Sequence, residues 1–118
     1  MIIRPLTRDD LLAYWAVDEI PRTVRGFVAE QDGRIMGLAG VMYARTTLIG
    51  FCEMEPEGSR YPMTIMRMVR KVQALMREIG APVFAVADEQ YPNSQAFLER
   101  VGFQRVAGRQ YVFKGEGS

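Results

Sequence analysis

The chain has 118 residues, 48% hydrophobic and 25% charged, with a net charge of +1. That is one domain with room for a core, and it has no bulk attraction for nucleic acid or an anionic membrane. A single cysteine, Cys52, and no histidine exclude an internal disulfide, a multi-cysteine metal site, serine–histidine or cysteine–histidine catalysis and the commonest zinc ligand sets. No apolar run reaches membrane-spanning length and no signal peptide is visible, so the expectation is a soluble cytoplasmic protein.

Residues 1–6 read as a short apolar strand. Thr7 follows as a helix N-cap, with Asp9 and Asp10 in the first turn, where the macrodipole favours negative charge. Leu11, Leu12, Trp15 and Ala16 give an apolar face that runs to about Ile20, and Pro21 ends the helix. Residues 25–30 and 34–44 are strand-like and joined by Gln31-Asp32-Gly33, a hairpin signal because both central residues accept positive φ. Residues 46–53 make a third antiparallel run, completing a meander. Gly37, Gly40 and Gly50 lie inside these strands, where glycine often marks a bulge or close approach by a backbone or ligand.

A polar loop with Pro56 and Gly58 leads to Pro62, which suits a first helical turn. Ile65, Met66, Val69, Val72, Met76 and Ile79 recur at helical spacing and predict the buried face. Gly80 and Pro82 stop the helix. Met68 lies off that stripe and is left for core filling or an interface. Residues 83–87, VFAVA, read as a buried strand. A polar loop, a helix over residues 94–101 with Gly102 as its stop, and strands over 103–107 and 110–113 complete the order. Cys52 reads as a small core residue. Asp18 and Glu19 read as exposed acids at a helix end.

The run Phe97-Leu98-Glu99-Arg100-Val101-Gly102-Phe103 resembles the F-Y/L-E-K/R-x-G-F sequence near the C-terminus of the GNAT superfamily of N-acetyltransferases. The order β-α-β-β-β-α-β-α-β-β is similar to that family's, with one helix missing after the first. The resemblance implies one α/β (α+β) domain over residues 1–114, with 115–118 a flexible tail. Its sheet would be mixed but mainly antiparallel, with helices on both faces. The third meander strand and the Val83 strand would form a splayed parallel pair. It further implies acetyl-CoA between those strands and direct acetyl transfer to a small-molecule or peptide amine, with no nucleic acid or membrane partner and a homodimer left open. Met54, Glu55, Ala87 and Asp88 would rim the crevice.

The family's pyrophosphate loop, Q/R-x-x-G-x-G/A, presents backbone N–H groups at a helix N-terminus. It falls here on Ser59-Arg60-Tyr61-Pro62-Met63-Thr64-Ile65. Arg60 is retained, Tyr61, Met63 and Ile65 hold the glycine places, and Pro62 has no N–H. This implies weak acetyl-CoA binding, or none. Met54, Arg60, Tyr61, Met63, Thr64, Asn93 and Phe97 are the residues placed to meet the cofactor. The family's base, a glutamate near the third meander strand, has two candidates, Glu53 and Glu55; their plain reading is two solvated carboxylates. The tyrosine that protonates the leaving thiolate falls on Leu98, which has no proton to give. Tyr91, in the preceding loop, is a nearby phenol at a displaced position. The departures favour a second reading, a catalytically inactive GNAT-fold binding or assembly module, while the preserved element order favours a retained crevice and the family's mostly enzymatic character keeps the transferase first.

Overall fold

The computed structural model describes residues 1–19, 23–55, 60–87 and 94–114. Its elements are β1 (Ile2–Pro5), α1 (Arg8–Tyr14), β2 (Thr23–Gln31), β3 (Arg34–Ala44), β4 (Thr47–Met54), α2 (Pro62–Ile79), β5 (Val83–Val86), α3 (Ser94–Val101), β6 (Gln104–Ala107) and β7 (Gln110–Phe113). The strands form one sheet in the order β1-β2-β3-β4-β5-β7-β6. Every neighbouring pair is antiparallel except β4–β5.

The meander is built by local turn chemistry. Asp32 and Gly33 both take positive φ, 52° and 78°, which matches the twist of the flanking strands. Gly26 and Gly40 sit opposite each other in register. A Cβ on Gly40 would lie 2.7 Å from the Gly26 Cα, so β2 and β3 approach more closely there than any side chain permits.

Thr7 caps α1 as the sequence predicts, in a reciprocal capping box with Asp10. The helix stops at Tyr14, short of the expected end near Ile20. Ile20 and Pro21 lie outside the described residues. A Schellman motif ends the helix: Ala16 takes φ 52°, its N–H donates to the Ala13 carbonyl, and the Val17 N–H donates to that of Leu12. Glycine usually holds that left-handed position, so alanine gave no stop signal. The early stop carries Trp15 onto β4.

Pro62 opens α2 at its first position, and Gly80 closes it at φ 74°. Its buried face is Met68, Val69, Val72, Leu75 and Met76, flanked by half-buried Ile65 and Ile79. The expected stripe is thus rotated. Met68 is core, Leu75 joins it, and Met66 falls on the flank, because 100° per residue separates these neighbouring positions on the wheel. Gln73 Nε2 donates to the Val101 carbonyl at 2.6 Å, tying α2 to the end of α3. Gly102, at φ 113°, ends α3 where the sequence placed the stop.

Two apolar clusters sit on opposite faces of the sheet. The larger joins α2 and α3 to Ala29, Ala39, Val83, Ala85, Tyr111 and Phe113. The smaller places Leu11 of α1 against Val28 and Leu38, flanked by Trp15 and Phe51. β5 is not buried on both faces as its continuous apolar run suggests. Val83 and Ala85 are buried, whereas Phe84 and Val86 are 44% and 64% exposed. Short α1 packs over the meander, and among the described residues no helix covers this side of β5. At the far rim, β6 carries a bulge between Arg105 and Ala107. No helix of the described residues is long and apolar enough to cross a membrane.

Candidate active site

β4 and β5 pair through two positions only, Leu48↔Val83 and Ile49↔Phe84. Beyond them the strands part, so among the described residues the β5-facing edge of β4 from Gly50 to Met54 has no strand beside it. Its outward N–H and C=O groups are left for another partner. A cavity of about 770 Å³ fills the gap. Side chains alternate along β4. Gly50 faces Val83 and Phe103 of the larger cluster, so Cys52 and Met54 follow on the α2 side. Phe51 packs in the smaller cluster, so Glu53 follows on the α1 side. The cavity is lined from both sides.

On the α1 side, Glu53 Oε2 accepts a 2.7 Å hydrogen bond from Trp15 Nε1. Trp15 in turn meets Phe51 edge-on, ring centroids 5.7 Å apart. Tyr14, Phe51 and Val86 complete this wall. Glu55 also lines the cavity, with Oε1 3.6 Å from Arg34 Nη2, and its backbone N–H donates to the Met36 carbonyl. Both candidate carboxylates are therefore engaged side chains, not free ends.

On the α2 side the wall includes Met54, Ile65, Met68, Phe97 and Leu98. Cys52 is reached by solvent along the cleft. Desolvation by neighbouring protein groups, helped by the charge of Glu53, pushes its thiol up to about 11. It is therefore a protonated thiol in the cleft wall, not the small core residue expected. Gly37, Gly40 and Gly50 all line the cavity, as glycines in a strand beside a ligand space would.

The start of α2 faces the same opening. Tyr61 occupies its N-cap without a side-chain hydrogen bond. Its carbonyl accepts the Ile65 N–H at 3.1 Å. Pro62 has no N–H, so Met63 and Thr64 carry the first-turn amides that lack an intrahelical acceptor. Tyr61 and Thr64 line the cavity. Met63 is 76% exposed and Arg60 is exposed, and neither is in the lining. Ala87 is buried and bonded to the Arg109 carbonyl, so Val86 takes the rim position expected of it. Tyr91, Asn93 and Asp88 lie outside the described residues. Sequence reasoning read Trp15 as a core residue. Its approach to Glu53 depends on the early stop of α1, which no residue type announced.

No family model matches the sequence, and no curated protein matches it. Solved structures do. The ribosomal-protein-S18-alanine N-acetyltransferase from Escherichia coli is similar over 99% of this chain and 95% of its own, with TM-score 0.72 and 14% identity. A GNAT-family acetyltransferase from Staphylococcus aureus Mu50 is similar over 94% of this chain and 81% of its own, with TM-score 0.68 and 12% identity. The chain has the GNAT fold: a mixed, mostly antiparallel seven-stranded sheet with one parallel, splayed pair and helices on both faces.

Proposed function

We propose that this domain is an N-acetyltransferase that moves an acetyl group from acetyl-CoA directly to an amine. The observation that carries the reading is the parting of β4 from β5, which opens one cavity to both faces of the sheet. Two reactants can then meet from opposite sides with no covalent enzyme intermediate.

The donor set fits acetyl-CoA in part. The apolar α2-side wall and the unpaired β4 edge suit an extended arm that carries amide groups. The Met63 and Thr64 amides, the Thr64 hydroxyl and the Arg60 guanidinium are what remain for phosphates. When bound, the thioester supplies an activated acyl carbon. Glu53 is the first candidate for base. Trp15 holds one of its oxygens, and the other can take a proton from the acceptor ammonium. Glu55 is the second candidate, with Arg34 Nη2 3.6 Å from its Oε1. Leu98 contributes wall and no proton.

Isothermal titration with acetyl-CoA, followed by thiol release on addition of a mixed amine pool, tests the reading. Binding with amine-dependent thiol release is expected. An absence of binding at millimolar ligand sinks the transferase and leaves the binding-module reading in its place.

A further inference from the structure

The outward face of α2 is a stripe of positive charge. At 100° per residue, Met63, Arg67, Arg70, Ala74 and Arg77 fall within about 80° of one another, opposite the helix's buried face. All five are exposed. Arg67 to Arg77 spans about 15 Å of helix, at 1.5 Å per residue. Among the described residues no ion pair reaches Arg67, Arg70 or Arg77. Glu78, the helix's one acid, lies 3.5 Å from Arg25 instead, and Lys71 leaves the stripe to sit over the Phe27 ring. A helix face left to solvent commonly alternates its charges, because like charges three and four positions apart oppose the helix. Here Arg67 has Arg70 and Lys71 at those spacings. Arg60 and α2 together hold five of the fifteen basic residues and one of the fourteen acidic ones. The rest of the chain, with ten basic and thirteen acidic residues, nets −3. The positive charge is therefore local to this helix.

The stripe begins at the cleft. Met63, 76% exposed, is in the first turn of α2, beside Tyr61 and Thr64 of the lining. An arm lying along β4 on the α2 side leaves past that turn and meets Met63 and Arg67 next. Free CoA has a pyrophosphate and a nucleotide to seat there, where Pro62 has withdrawn an amide and Tyr61 holds the N-cap. A phosphopantetheine arm borne by a protein has a single phosphodiester, and the protein's own surface stands in for the nucleotide. We propose that α2 docks an acidic carrier protein that brings the acyl thioester on such an arm, with Arg67, Arg70 and Arg77 meeting its carboxylates. Its direction rests on the transferase reading, which assigns the α2 side to the donor. In the transfer, the N–C bond to the amine forms as the thioester C–S bond breaks. The ammonium gives up two protons; the carrier's sulfur takes one and water takes the other. RNA fits the stripe less well, because no aromatic residue is exposed on it for a base to stack on, and a long polyanion also meets the net negative charge of the remaining chain. An anionic membrane fits less well too, since Met63 is the one large apolar side chain that the stripe exposes.

The probe is a bacterial acyl carrier protein in its holo form, titrated calorimetrically against the domain at low salt. Saturable binding is expected, and it should weaken as salt is raised. Arg67→Glu combined with Arg70→Glu should weaken it at least about tenfold, by setting carboxylates against carboxylates, and should leave the melting temperature unchanged or higher. The apo form, which lacks the arm, should bind at least about tenfold more weakly than the holo form, because arm and stripe engage together. No binding, an unchanged affinity in the double variant, or equal binding of the apo form overturns the proposal. Tighter binding of a single-stranded RNA or of phosphatidylserine vesicles does the same. So does a melting temperature several degrees lower in the variant, which would mean that carboxylates of the same chain already hold these arginines. Amine-dependent thiol release from acetyl-CoA, run in parallel, separates the two readings. Carrier binding without release sinks the transferase and keeps the docking face. Release without carrier binding keeps the transferase and sinks the docking face.

Discussion

Asp10 offers a measurable link between the N-terminal strand and the site. Arg4 on β1 grips its carboxylate with both terminal nitrogens, at 2.7 and 2.8 Å. The Thr7 backbone N–H adds a third bond at 2.8 Å. The Asp10 side chain is 11% exposed, so these bonds are little screened. The Arg4 hydrogen bond is the largest influence on the carboxyl and outweighs its desolvation, holding it at about 2 against an ordinary 3.8. Arg4 stays protonated throughout, so the pH dependence belongs to Asp10. A depressed carboxyl favours the folded state above its unfolded value near 3.8, and the contribution is lost as pH falls through the folded value. At about 1.4 kcal/mol per pH unit, this amounts to about 2 kcal/mol at neutral pH. Asp10→Asn keeps an oxygen for the cap and removes the charge. Urea unfolding at pH 7, followed by Trp15 fluorescence, should show the variant about 2 kcal/mol less stable, and the gap should narrow to about half by pH 3. No gap at neutral pH, or a gap of equal size at both pH values, refutes the assignment.

Tyr111 is fully buried and its hydroxyl has no hydrogen-bond partner among the described residues. Tyr111→Phe should therefore raise stability by about 1 kcal/mol, since an unsatisfied buried hydroxyl costs about that or more; a melting temperature several degrees lower would mean the hydroxyl is bonded. Cys52, with its thiol pushed up to about 11, should react slowly with iodoacetamide at pH 8 and progressively faster as the pH approaches that value. Rapid labelling near neutrality contradicts it. Arg60→Ala should weaken acetyl-CoA about tenfold, on the scale of a charge-assisted hydrogen bond, as read by titration; unchanged affinity removes Arg60 from the phosphate site.

The elements that the sequence announced were those whose boundaries are written in backbone chemistry. Asp32-Gly33, Pro62, Gly80 and Gly102 each sit where only a few residue types are comfortable, and each marks the boundary it suggests. The parallel pair and its parting follow from the strand–helix–strand order around α2. What stayed hidden depends on partners distant in the chain. Ala16 takes a glycine's conformation, so the end of α1 and the approach of Trp15 to Glu53 carry no local signature. The rotation of the α2 stripe toward Met68 and Leu75 is set by which strands lie beneath it. The open side of β5 reflects how short α1 is, and Val83 to Val86 alone cannot report that. In the candidate site, Glu53, Glu55, Met54, Tyr61, Thr64 and Phe97 were legible because a strand end and a helix start converge on any such crevice. The aromatic wall was not.

The two-position joint between β4 and β5 has a mechanical consequence. The sheet is two leaves fastened at one end, not a continuous beam. The splint across them is α2, whose Met68, Val69, Val72, Leu75 and Met76 bear on Ala29 and Ala39 of one leaf and on Val83, Ala85 and Phe113 of the other. Backbone hydrogen bonds resist stretching but are too few here to fix the angle between leaves. That angle is set by the bulk of five helix side chains, two of them methionines that accommodate irregular gaps. The width of the gap, and with it the girth of whatever lies inside, can thus be retuned by repacking one helix face while every strand keeps its sequence.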